Sequence, residues 1–178
     1  MFYVADKTDF NKIYSIMEYS FPESERRSRK DQCALMDDER YKIIYKRGND
    51  GEICAFIAYW QLENAVFAEH FAVASTMRGA GLGGAFLDEF LSSCGGEVVL
   101  EVERPENDIA VRRIAFYERH GFVLNTFDYV QPPLGEGRSP APLYIMSRGE
   151  RLTKEKFEYI RSCIYRTAYK TDGKTFIK

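Results

Sequence analysis

A chain of 178 residues with 25 basic against 27 acidic side chains, a formal charge of -2, can bury a core as one domain and carries no global basic field of the kind nucleic acid attracts. Cys33, Cys54, Cys94 and Cys163 are scattered, with no C-x-x-C pair and no histidine spacing to complete a zinc site, so four free thiols, a reduced compartment and no metal are expected. No stretch approaches about 18 consecutive apolar residues, and Met1 to Asp6 lack a basic region followed by an apolar run, so the expectation is a cytoplasmic protein without a membrane partner.

Phe2 to Val4 reads as a short strand, and Thr8 offers an N-cap for a helix whose Phe10, Ile13, Tyr14 and Met17 share one face. Pro22 is placed to start a second helix, charged from Glu23 to Lys30 and apolar at Cys33 to Met36. Tyr41 to Lys46, Glu52 to Gln61 and Ala65 to Val73 read as three strands joined by the hairpin loops Arg47 to Gly51 and Leu62 to Asn64, an antiparallel meander. The third strand feeds a glycine-rich turn, Arg78-Gly79-Ala80-Gly81-Leu82-Gly83-Gly84, and then a helix with Leu82, Phe86, Leu87, Phe90 and Leu91 at helical spacing.

Glu97 to Val102 follows as a fifth strand, and a turn through Pro105 leads to a helix for which Asp108 is the expected cap. Strand, helix, strand, helix requires two neighbouring strands to run parallel within an otherwise antiparallel sheet. Gly121 ends that helix as a C′ glycine, and Phe122 to Tyr129 resumes as a strand. Gln131 to Pro142 holds four prolines and reads as a loop, after which Leu143 to Met146 closes the sheet. Thr153 can cap a last helix through about Tyr169, with Phe157, Ile160 and Ile164 inward, ahead of a lysine-rich tail. There is no internal repeat.

The glycine turn is a phosphate cradle: four missing Cβ atoms let backbone N–H groups approach an anion, and the following helix adds its positive end. Its letters satisfy G-x-G-x-x-G, with Glu101 or Glu103 roughly 20 residues on, where a dinucleotide site places its ribose acid. Against that, Ser75 to Arg78 separate strand from glycines, and too little chain remains for the rest of such a domain. Read as Arg78-x-x-Gly81-x-Gly83, the same letters resemble the acetyl-CoA motif of the GNAT acetyltransferase superfamily. Ala115-Phe116-Tyr117-Glu118-Arg119-His120-Gly121-Phe122 resembles the same family's second signature. The resemblance covers roughly residues 2–147.

It implies an α+β (α/β/α) fold: a mixed, mostly antiparallel sheet of about seven strands, helices on both faces, and splayed central parallel strands that form the CoA cleft. Residues 1–148 would be the acetyltransferase domain, and 149–178 a helical extension packed on it or at a subunit contact. The implied activity is N-acetyl transfer from acetyl-CoA to a small-molecule or peptide amine, by a monomer or homodimer. No cysteine is placed for a covalent acyl intermediate, so transfer is expected to be direct. A non-catalytic acyl-CoA sensor on the same fold is the alternative. Phe71, Ala72 and Val73 would offer main-chain groups to the pantetheine arm, and Arg78, Gly79, Ala80, Gly81, Leu82, Gly83 and Gly84 would wrap the pyrophosphate.

Amide formation needs a group that accepts the ammonium proton and one that protonates the leaving thiolate. Strand alternation puts Glu69, Phe71 and Val73 on one face and His70 on the other, and family members with a glutamate at this position use it as the base. The alternative for Glu69 is a pair with an arginine or a place at the exposed start of the strand. Glu101 and Glu103, on the face of Val99, are reserve bases. Tyr117 lies on an inward stripe with Ala110, Arg113 and Ile114, so its hydroxyl needs a polar partner; the resemblance gives it the CoA sulfur. Ala110 stands where most of the family has a pantetheine-contacting asparagine, and Asn107 is three residues early. Arg112 and Arg113 are open to either a CoA phosphate or the solvent.

Overall fold

The computed structural model describes residues 1–175, so the last three residues of the lysine-rich tail lie outside it. Seven strands form one sheet: β1 (Tyr3–Val4), β2 (Tyr41–Arg47), β3 (Ile53–Gln61), β4 (Ala65–Val73), β5 (Glu97–Glu103), β6 (Phe122–Gln131) and β7 (Ala141–Arg148). Their order is β1-β2-β3-β4-β5-β7-β6, antiparallel throughout except for β4 beside β5. That parallel ladder runs from Ala65 opposite Glu97 to Ala68 opposite Leu100 and stops, while both strands continue. Beyond it Glu101 to Glu103 pair only with β7. The two central strands thus separate at the level of Glu69 and Glu101.

Each face of the sheet has its own apolar layer. On one, α1 (Phe10–Ser20) and α5 (Lys154–Thr167) bury Phe10, Ile13, Tyr14, Met17, Phe157, Ile160 and Ile164 against Phe56, Trp60, Phe67, Val99 and Ile145. On the other, α3 (Leu82–Ser93) and α4 (Asp108–Arg119) bury Phe86, Leu87, Phe90, Leu91, Ile114 and Tyr117 against Ile57, Val66, Val98 and Leu100. These are the stripes that the helical periodicity marks. α5 is thus built into one of the two layers. Asn125, fully buried, fixes the approach to it: its Nδ2 donates to Ile145 O at 3.2 Å and its Oδ1 accepts from Leu152 N at 2.8 Å.

Several ends differ from expectation. α1 is capped by Asp9 without a side-chain bond, not by Thr8, whose hydroxyl is turned back to Asp6. The Pro22 helix is a single 3-10 turn, Glu23–Glu25; Arg26 is extended, and the short α2 (Arg29–Ala34) begins only after Ser28, whose Oγ accepts from Asp31 N at 3.1 Å. The break sends Arg27 into the interior, where it has partners that a surface helix lacks. Asn107, not Asp108, caps α4, accepting from Ile109 N at 3.0 Å and Ala110 N at 2.9 Å. Pro142 lies inside β7, paired with Val130 where β5 no longer flanks the strand, so its missing N–H breaks no ladder on that side.

Candidate active site

The glycine turn has the backbone its letters require. Gly79 (φ +86) and Gly81 (φ +77) are left-handed, and α3 starts after Gly81 with no side-chain cap, which leaves its first N–H groups turned toward an incoming anion. A Cβ on Gly83 would stand 3.3 Å from Val73 Cγ2, and one on Gly84 would stand 3.0 Å from the His120 ring. His120 is fixed by Asp88 at 2.6 Å and lies 4.8 Å from Phe116, so it backs the turn. Arg78 folds over the strand end, its Nε donating to Val73 O at 3.0 Å.

A cavity of about 580 Å³ runs from this turn through the gap between β4 and β5. Glu69, Phe71, Ala72, Val73, Arg78, Gly79, Gly81, Gly83, Gly84 and Tyr117 line it, whereas Ala80 and Leu82 do not. Leu82 packs against the core and Ala80 is exposed. Phe116 also lines it, as do Phe21, Met77, Glu101 and Arg113. The walls suit an acyl-CoA: an anion cradle at one end, apolar side chains along the middle and ionisable groups at the other end. Arg113 bonds Glu103 at 2.7 Å and is exposed at the rim. No group of three metal-ligating side chains able to hold an ion occurs among the described residues.

Strand alternation misplaces Glu69. β4 bulges there: Ala58 of β3 stands opposite His70 and Tyr59 opposite Ala68, so Glu69 is the extra residue. Phe71 and Val73 pack on the α3/α4 face. Glu69 and His70 both turn to the other face, where Trp60 Nε1 donates to Glu69 at 3.2 Å and Phe21 stands edge-on to His70 at 4.9 Å.

Glu69 is also not the raised carboxylate a base requires. Arg27 Nη1 donates to it at 2.8 Å, with 9% and 1% of the two side chains exposed. Burial pushes the Glu69 carboxyl up, but the Arg27 guanidinium and the neighbouring His70 outweigh it and hold it down at about 2. Arg27 is braced by Ala168 O at 3.0 Å and lies 5.8 Å from the Tyr169 ring centre.

Glu101, across the gap on β5, has the opposite character. Burial pushes its carboxyl up to about 7, against the bonds that favour its ionised form, and Glu69 adds a smaller push. Tyr129 donates to one oxygen and Gln131 Nε2 to the other at 2.7 Å, while Tyr169 Oη lies 2.9 and 2.8 Å from the two. On the α4 side, Tyr117 is pushed up to about 12 by burial, which the charge of Arg113 partly offsets. Its hydroxyl has no hydrogen-bond partner among the described residues and lines the cavity, free for a ligand. Arg27 and Tyr169 escaped the sequence reading as site residues, and only the arginine carried a signal, as one of a run in a charged stretch.

A family model for the acetyltransferase (GNAT) domain matches residues 37–124. Among solved structures, a protein of Bacteroides thetaiotaomicron described as a GNAT-family acetyltransferase is 31% identical, covers 96% of this chain and 99% of its own, and superposes with a TM-score of 0.88. The ribosomal-protein-S18-alanine N-acetyltransferase of Escherichia coli is 26% identical over 87% of this chain and 96% of its own, with a TM-score of 0.63. The spermidine N-acetyltransferase of Vibrio cholerae, 13% identical over 83% of this chain and 94% of its own, shares the fold with a TM-score of 0.64. No curated protein matches the chain in sequence.

Proposed function

Since this chain belongs to the GNAT family and is an acyltransferase, we propose that it moves an acetyl group from acetyl-CoA directly to a primary amine, with Glu101 accepting the amine proton and Tyr117 protonating the leaving thiolate. The observation that carries this reading is that both groups line one cavity from opposite sides of the sheet, with the anion cradle at one end. When bound, the thioester supplies an activated acetyl group. Phe71 and Val73 flank it, and the N-terminal turn of α3 holds the anionic end.

Near neutral pH, Glu101 is poised between its two protonation states, which suits a group that takes a proton from an ammonium and passes it on. The amine nitrogen bonds to the carbonyl carbon and the C–S bond breaks. The sulfur then takes the Tyr117 proton, and the second proton, shed by the nitrogen as the amide forms, restores the phenol. Burial keeps that phenol protonated at working pH, and its unpartnered hydroxyl costs no internal bond to use. Glu69, locked as a carboxylate by Arg27, shapes the acceptor end without exchanging protons.

An alanine-terminated peptide is the first acceptor to try, because the 26% identical structure is an alanine N-acetyltransferase; spermidine is the comparison. Thiol release from acetyl-CoA should follow an acid limb near the Glu101 value of about 7. Glu101→Gln should lower kcat by ~10²–10⁴-fold. Calorimetric binding of acetyl-CoA should stay unchanged. Turnover by Glu101→Gln at the wild-type rate would remove Glu101 from this role.

A further inference from the structure

The dipeptide Ala168-Tyr169, just beyond α5, touches the partners of both buried carboxylates. Ala168 O accepts from Arg27 Nη2 at 3.0 Å, and the Tyr169 ring lies 5.8 Å from the Arg27 guanidinium, which in turn holds Glu69. The Tyr169 hydroxyl straddles Glu101, 2.9 Å from one oxygen and 2.8 Å from the other, and Gln131 Nε2 reaches the same hydroxyl at 3.1 Å. A carboxyl that must meet an incoming amine can rotate about its last bond; a hydroxyl bridging its two oxygens removes that freedom.

We infer that Tyr169 is a positioning residue for proton transfer, holding the Glu101 carboxyl in place while backing Arg27, so that the C-terminal segment completes the acceptor end of the site. The inference rests on the reading of Glu101 as the proton acceptor. Tyr169 reaches Glu101 from 68 residues away in sequence and lies outside the 37–124 stretch that defines the domain.

The groups facing Glu101 fix the sign of the effect. Tyr129 and Gln131 donate from β6 and Tyr169 from beyond α5; Glu69, with Arg27 and His70 beside it, faces from β4; Arg113 and Tyr117 of α4 line the same cavity. Bonds from Tyr129, Tyr169 and Gln131 favour the ionised carboxylate against burial. Removing the Tyr169 hydroxyl therefore raises the pH at which Glu101 ionises, by about one unit.

The test uses the full chain with isotope-labelled glutamate carboxyls, titrated by NMR in wild type and Tyr169→Phe, with Glu101→Gln identifying the Glu101 signal. Tyr169→Phe keeps the ring over Arg27, so a merely structural hydroxyl leaves the Glu101 midpoint where it was. The expected result is a midpoint about one pH unit higher. The acid limb of acetyl transfer to an alanine-terminated peptide should move by the same amount, with the KM for acetyl-CoA unchanged. An unmoved or lowered midpoint together with an inactive Glu101→Gln overturns this inference alone. Normal turnover by Glu101→Gln overturns the reading of Glu101, and this inference with it.

Discussion

Replacing Arg27 by Met tests the charge arrangement at the acceptor end. In the wild type, 9% of the Arg27 side chain and 1% of the Glu69 side chain reach solvent, so the guanidinium is the main compensation for a fully desolvated carboxylate. Without it, Glu69 retains Trp60 Nε1 at 3.2 Å and His70 Nδ1 at 3.6 Å. Removing one partner of such a buried pair costs about 3–5 kcal/mol, a large share of the ~5–15 kcal/mol typical of a whole protein.

The pH dependence changes sign as well. Held at about 2 against an ordinary 4.5, Glu69 contributes stability above pH 4.5 that is lost as the pH falls toward 2, about 3 kcal/mol in all. In Arg27→Met the guanidinium is gone, and burial, the largest influence on the carboxyl, prevails over what His70 still opposes. The carboxyl then ionises above its ordinary value, and the stability it contributes is present at low pH and lost as the pH rises. Urea unfolding of wild type, Arg27→Met, Glu69→Gln and the double variant, at neutral pH and about pH 4, reads both effects. Arg27→Met should lose about 3–5 kcal/mol at neutral pH and less at the lower value, and the double variant should regain over half. A loss below about 1 kcal/mol, equal at both pH values, would show that the pair behaves as an exposed one and refute the reasoning.

Tyr117→Phe should lower kcat by up to ~10²–10⁴-fold with little change in the KM for acetyl-CoA. Its thermal stability should stay near that of the wild type, since the hydroxyl has no hydrogen-bond partner among the described residues; wild-type turnover would mean the thiolate leaves without the phenol. Gly81→Ala has open space for its methyl group but a φ of +77, so it should cost ~1–2 kcal/mol in urea unfolding and weaken acetyl-CoA binding in calorimetry. Unchanged binding would place the anion elsewhere than at the start of α3.

The sequence showed those parts of the molecule that depend on local repetition. β4 begins and ends where its letters suggest, the inward faces of α1, α3 and α5 follow from apolar spacing, and the glycine turn displays its own backbone requirement. Elements ending in a choice between neighbouring polar residues were less legible. Thr8 or Asp9, and Asp108 or Asn107, differ by which side chain the incoming backbone aims, and that is a matter of tertiary path.

The chemistry was legible on one wall only. Tyr117 sits in a helical signature that points it inward, whereas the environment of Glu101 is assembled from Tyr129, Gln131 and Tyr169, which periodicity does not connect. Glu69 was misread for a sharper reason: alternation assumes an unbroken pleat, and one extra residue defeats it.

That extra residue divides β4 into two phases. Up to Ala68, even-numbered positions face α3 and α4; from Phe71 on, odd-numbered ones do. Deleting that residue would merge the phases: Ala68 and Phe71 would keep the α3/α4 layer by plain alternation, and the gap would lose one polar side chain. β4 thus uses one residue beyond plain alternation to turn two consecutive polar side chains, Glu69 and His70, to the same side of the sheet, with Glu69 at the cavity.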